Sequence, residues 1–412
     1  MNRTPRRLVG VLALVALAGA ACGGDTNPAD SGGDAAPTTA PAPAASAAGA
    51  TIDTPAADLR AGLTSLLQEH VYLAGITTGV ALEGGDFKVP AASLEKNTQG
   101  LQDAVASVYG DAGGKQFGEL WRKHIGFFVA YTTGKATKDQ AMVAKAKSDL
   151  DGYRADFGAF LESATKGGLP KQAVADELKP HVETLFAAID AQAAKDPSAY
   201  AKLQTAASHM PHTAGILAGA IAKQFPDKVT GSTTSGASEL RTGLTGLLQE
   251  HVYLAGITTG VALGGGDFKV PAASLEKNTQ GLQDAVASVY GDAGGKQFGE
   301  LWRKHIGFFV AYTTGKATKD QAMVDKAKAD LDGYRADFGA FLESATKGGL
   351  PKQAVADELK PHVETLFAAI DAQAAKDPSA FAKLQTAASH MPHTAEVLAG
   401  AIVKQFPSKF AA

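Results

Sequence analysis

LRAGLTSLLQEHVYL, residues 59–73, places Leu59, Leu63, Leu66, His70 and Leu73 at spacings of three and four. That is the period of one face of an α-helix, whereas a half-buried strand would alternate every second residue. Only His70 interrupts the apolar stripe, so the pattern that predicts a helix also predicts a histidine turned toward a core. The segment returns as LRTGLTGLLQEHVYL at residues 240–254. Outward from this pair, Leu59–Pro226 matches Leu240–Pro407 at a constant offset of 181, with nine mismatches over 168 positions. Ser65 to Gly246, Glu83 to Gly264 and Tyr200 to Phe381 are among the mismatches, and no histidine is. A unit of this size is long enough to bury its own core. The mature chain therefore reads as repeat one over residues 57–227, a polar linker over 228–237 and repeat two over 238–412. The linker predicts that the fragment beginning at Ser238 folds alone.

The helical period continues through each copy, broken at Gly and Pro clusters. In repeat one the stripes are Leu94, Leu101 and Val105; then Phe117, Leu120, Trp121, His124, Phe128 and Tyr131; then Leu150, Tyr153, Phe157, Phe160 and Leu161. Val174, Leu178, His181, Leu185 and Ile189 form the next, and Leu203, Met210, Ala214, Leu217 and Ile221 the last. The expected fold class is all-α, two tandem bundles of about six helices each. His70, Asn97 and His124 recur at intervals of 27 residues, and Tyr153, His181 and Met210 at 28 and 29, a spacing that hints at an older duplication within each copy.

All ten histidines lie in the repeats: His70, His124, His181, His209 and His212 in the first, and His251, His305, His362, His390 and His393 in the second. Three per copy sit in apolar stripes on separate helices, where an imidazole without a partner is costly. Neutral imidazole is the commonest metal ligand, and a bundle can gather ligands from facing helices. The candidate metal ligands are accordingly His70, His124, His181, His209 and Met210, with His251, His305, His362, His390 and Met391 as their counterparts. A set of imidazoles with a thioether and no thiolate suits copper first and zinc next. Haem held by histidine, or a metal-free surface adaptor duplicated for avidity, are the alternatives. Pro211 should break the helix in Ser208–His212, and His212 should face solvent, since it lies off the stripe of Met210. Glu177, four residues before His181, is placed to orient it or to pair elsewhere. Paired Glu-x-x-His motifs, His-Glu-x-x-His, Gly-x-Ser-x-Gly, a phosphate loop and a dinucleotide fingerprint are all absent, so no catalytic residue is assigned.

The N-terminus sets the compartment. Arg3, Arg6 and Arg7 precede the apolar run Leu8–Leu17, which is too short for a permanent span, and Ala18-Gly19-Ala20-Ala21-Cys22 follows. This resembles the lipobox of bacterial lipoproteins, although Gly19 stands where a larger aliphatic residue is usual. The resemblance implies a signal peptide over residues 1–21, lipid attachment at Cys22, and anchorage at the outer face of the cell membrane. Residues 22–56, rich in Gly, Ala, Pro, Ser and Thr, then read as a flexible tether. Loss of residues 1–21 removes three arginines and no acid, taking the formal charge from -3 to -6. An acidic chain without a basic run excludes nucleic acid as an expected partner. Leu67-Gln68-Glu69-His70-Val71, Leu120–Phe128 and Leu217–Ile221 are similar to helical segments of secreted Gram-positive proteins, which implies an extracytoplasmic helical domain and carries over no site residue. Cys22→Ala should abolish incorporation of a tagged fatty acid in living cells, and label retained by that variant would overturn the anchor assignment.

Overall fold

The structure, a computed structural model, describes residues 50–411; the leader, Cys22 and the tether up to residue 49 lie outside the described residues. It is all-α, with no strand among the described residues. Copy one comprises α1 (Pro55–Leu82), α2 (Lys88–Thr137), α3 (Gln140–Ala164), α4 (Lys171–Ala193), α5 (Ala199–Ser208) and α6 (Met210–Gln224). Copy two repeats them as α7 (Gly236–Leu263), α8 (Lys269–Thr318), α9 (Gln321–Ala345), α10 (Lys352–Ala374), α11 (Ala380–Ala388) and α12 (Met391–Gln405). No helix among the described residues is long and apolar enough to cross a membrane.

The helix count per copy matches expectation, but the partition differs. The second and third stripes belong to one 50-residue helix that bends at Gly110 (φ 78°, ψ 170°). Glycine alone adopts that conformation without strain, so the helix resumes at once instead of looping. The Tyr109 hydroxyl donates to Gln224 Oε1 (3.0 Å), tying the bend to the end of α6. The last stripe divides at His209, where Pro211 occupies the first turn of α6 and a missing N–H costs nothing. Pro180, by contrast, sits inside α4 without ending it.

Helix α1 is the axis of copy one. It packs on α2, α4, α5 and α6, while α2–α3, α3–α4 and α4–α5 close the bundle in sequence. Its start is fixed by Thr54, whose hydroxyl accepts from Ala57 N (3.2 Å) ahead of Pro55. Order begins before residue 57, the expected edge of the tether: Ile52 is buried, and its carbonyl accepts from Arg241 (3.1 Å). The linker is also partly built in, since the Thr233 carbonyl accepts from Arg60 (2.5 Å) and α7 starts at Gly236.

Ala50–Ala412 is one compact unit, because α1 also packs along α7, its own counterpart. The contacts are reciprocal. Arg60 grips Glu239 through two nitrogens (2.5 and 2.9 Å), and Arg241 pairs with Asp58 (2.5 Å), the residue equivalent to Glu239. Tyr72 and Tyr253 stack at 5.4 Å with their rings 3° from parallel. Glu250 accepts from Tyr72 (2.9 Å), Gln204 (2.8 Å) and Asn278 (3.1 Å). Glu69 accepts from Gln385 (2.5 Å) and Gln249 (3.3 Å). Tyr253 faces Glu69 as Tyr72 faces Glu250, with looser geometry that leaves its hydroxyl unpartnered. Residue i meeting j′ while j meets i′ is the signature of a two-fold, self-complementary interface. An isolated copy would expose this polar and aromatic face, and a second identical copy is its natural cover. The fragment Thr230–Ala412 should therefore run as a dimer in size-exclusion chromatography with light scattering, and Tyr253→Ala should shift it toward monomer. A stable, cooperatively melting monomer would show that each repeat stands alone.

Candidate metal centre

The three stripe histidines of copy one meet in the middle of the bundle. His70 comes from α1, His124 from the second half of α2 and His181 from the turn after Pro180 in α4, at 2%, 3% and 7% exposure. The Nε2 atoms of His70 and His124 are 3.3 Å apart, with ring centroids at 5.3 Å. The His181 ring lies 6.4 Å from that of His70. Copy two repeats the pair, with His251 and His305 also at 3.3 Å between Nε2 atoms, and its His362 is likewise buried. Trp121 packs edge-on to His124 at 4.5 Å, Tyr153 stacks on it at 5.1 Å, and Phe128 lies beyond. Helix spacing explains this: Trp121, His124 and Phe128 are three and four residues apart and share one face.

No carboxylate serves these imidazoles. Glu69, adjacent to His70 in sequence, turns the opposite way into the interface between copies. Glu177 accepts from the Thr213 hydroxyl (2.8 Å) and lies 3.7 Å from His212, so it joins α4 to α6 and does not orient His181. His212 is exposed, as its helix position predicts. His209 is half-buried at the α5–α6 break, and its charge helps to depress His181. Met210 is buried and shares a cavity wall with His70 and His181. Asn97, in register with the histidines by sequence spacing, instead donates to the Leu66 carbonyl (2.9 Å).

Burial dictates protonation. Desolvation lowers His70 to about 3, with help from His181, and lowers His181 to about 4. His124 is held well below its ordinary value by burial first and by the neighbouring His70 and His181 second. All three are neutral at pH 7, the form that binds a metal. Their Nδ1 atoms, the Trp121 indole N–H and the Tyr153 hydroxyl are buried with no hydrogen-bond partner in the protein. So many unpartnered polar groups in one place are atypical of a plain core. Among the described residues, no group of three or more His, Cys, Asp or Glu side chains is already gathered to hold an ion. The His70–His124 pair is the pre-formed part, and the His181 ring stands about 1 Å farther from His70 than His124 does.

A cavity of about 170 Å³ adjoins the histidines, walled by side chains from α1, α2, α3, α4 and α6. Sequence periodicity marked most of its wall as core and could not show that the wall encloses space. Comparison with known protein families, curated proteins and solved structures finds no match to this chain.

The histidine protonation has a measurable consequence. In the unfolded chain imidazole takes up its proton near 6.5, but in the fold His70, His181 and their counterparts His251 and His362 wait until about 3 to 4. Unfolding therefore takes up protons as pH falls from about 6.5 toward 4, and stability drops by up to about 1.4 kcal/mol per pH unit per buried histidine. Glu69, whose carboxyl is raised by burial, acts in the opposite sense but is one group against six. Melting temperature should fall steeply between pH 6.5 and 4.5, and an unchanged value across that window would contradict neutral buried imidazoles.

Proposed function

We propose that this chain is a lipid-anchored, extracytoplasmic metal-binding protein with one site per repeat, built on His70, His124 and His181 and on His251, His305 and His362. The observation that carries the reading is the 3.3 Å separation of paired Nε2 atoms in a dry interior. Two nitrogens bound at about 2.0–2.1 Å to one tetrahedral ion stand roughly 3.3–3.4 Å apart. The third imidazole completes the set by a side-chain adjustment, and Met210 or Met391 supplies a thioether in reach of the same space.

The chemistry of the surroundings favours monovalent copper over zinc. Burying an ion costs free energy in proportion to the square of its charge, and no carboxylate pairs with these imidazoles to offset a dication, since Glu177, at the cavity wall, is engaged by Thr213. Copper(I) brings a single charge, accepts low coordination and tolerates both imidazole and thioether. Haem is disfavoured by space, because the adjoining cavity is well below the ~300 Å³ at which small-molecule sites begin. The bland alternative is an Nε2–H···Nε2 hydrogen bond between neutral rings, which satisfies one proton and binds nothing.

Anaerobic competition titration of the mature chain against a chromophoric copper(I) chelator should give two ions per chain. His70→Ala with His251→Ala, and His124→Ala with His305→Ala, should weaken binding by more than about 100-fold, since loss of a ligand exceeds the 10–100-fold typical of losing a supporting group. His212→Ala with His393→Ala should leave affinity unchanged. Equal copper(I) and zinc affinity in the parent and both ligand-pair variants, with the helical circular dichroism intact, would leave the hydrogen-bonded reading.

A further inference from the structure

We propose that the cavity of copy one is a binding site for a small, uncharged, single-ring molecule carrying one hydrogen-bonding group, of the size and chemistry of phenol. Protein interiors are packed about as densely as organic crystals, so a space of about 170 Å³ within the bundle is not ordinary slack. A dry apolar cavity of about 150 Å³ suffices for benzene. The wall here is almost wholly aliphatic and aromatic, with Phe117, Trp121 and Phe157 supplying flat faces and Leu67, Leu101 and Leu217 the remaining curvature.

The polar end is equally specific. His70 and His181 both line the cavity, and each keeps a buried Nδ1 without a partner. A ligand with one hydroxyl or N–H would satisfy such an imidazole at no cost in buried charge. Anions are selected against by the apolar wall and by Glu177. Ala173 is the only exposed residue of the wall, which places the mouth on α4. Beside it, the Thr213 hydroxyl donates to Glu177 (2.8 Å) and fastens α6 to α4. The equivalent positions of copy two differ at one wall residue only, Val397 for Ile216, so that copy carries the same set of side chains. The inference does not rest on metal binding, since protein side chains alone define the cavity.

The chain's two tryptophans are Trp121 and Trp302, so tryptophan emission, excited beyond the absorption of tyrosine, reports this wall and its counterpart alone. The mature chain, treated with chelator, should show a saturable change in fluorescence with phenol and matching heat in calorimetry. Dissociation constants of about 10 µM to 1 mM are expected for so few heavy atoms. Benzene should bind at least about threefold more weakly, and benzoate not measurably. Leu217→Trp with Leu398→Trp fills the space and should weaken phenol at least about tenfold; Val105→Phe with Val286→Phe is a milder filling that should do the same if the first pair disturbs folding. No saturable signal with phenol or benzene, or unchanged phenol binding in a folded filled variant, overturns the site. Benzene equal to phenol overturns the hydrogen-bonding end. Because metal is removed throughout, failure here leaves the copper titration standing, and the reverse.

Discussion

Helix α1 is buried on every side, and the rest of the structure follows from that constraint. A helix between a bundle and a second copy of itself has no solvent face on which to discharge polar residues. Each must find a partner inside the protein, and four consecutive residues divide the work. Glu69 and Tyr72 turn to the interface with copy two, His70 turns to the bundle interior, and Val71 fills the space between. Moving any of them by one position would send a carboxylate into the histidine cluster or an imidazole into the interface.

The two buried polar systems differ in whether a carboxylate anchors them. At the interface, Glu250 is met by three donors and Glu69 by two, supplied by glutamines and one asparagine from α5, α7, α8 and α11 and by a tyrosine of α1. Such a network fixes register between helices, because any slip leaves a carboxylate unpaired. Around His70, His124 and His181 no carboxylate does this: imidazole nitrogens, an indole N–H and a phenol hydroxyl lie buried and unpartnered beside a cavity. Unpartnered buried atoms occur at the interface as well, among them the Tyr253 hydroxyl and the side-chain oxygens of Gln204, Gln249 and Gln385, so what sets the histidine cluster apart is the cavity beside it. The paired imidazoles beside that cavity are the physical basis for assigning ligand chemistry to the histidines, and the donors that meet Glu69 and Glu250 are the basis for a structural role of the glutamates.

Much of this was legible along the chain. Period-3.6 stripes gave the helices, the 181-residue offset gave the duplication, and an imidazole within each of three apolar stripes marked His70, His124 and His181 as inward-facing. The break at Pro211 and the solvent-facing His212 followed from local stereochemistry and helix geometry alone. A further signal was present and easily passed over. Between Arg60 and Glu83 the only formally charged residue is Glu69, and so long a nearly uncharged helix is buried all round rather than on one stripe.

Local pattern determined the helices, their inward faces and their repetition, because those depend on residues a few positions apart. Only the tertiary structure decided that α2 continues through Gly110, that the copies lock through α1 and α7, and that Glu177 is drawn to Thr213 rather than to His181. It alone decided that three imidazoles from distant helices converge within one interior while a void remains beside them. Distances between helices depend on how every side chain in the layer packs, and periodicity, which fixes direction but not depth, carries no record of the space left over.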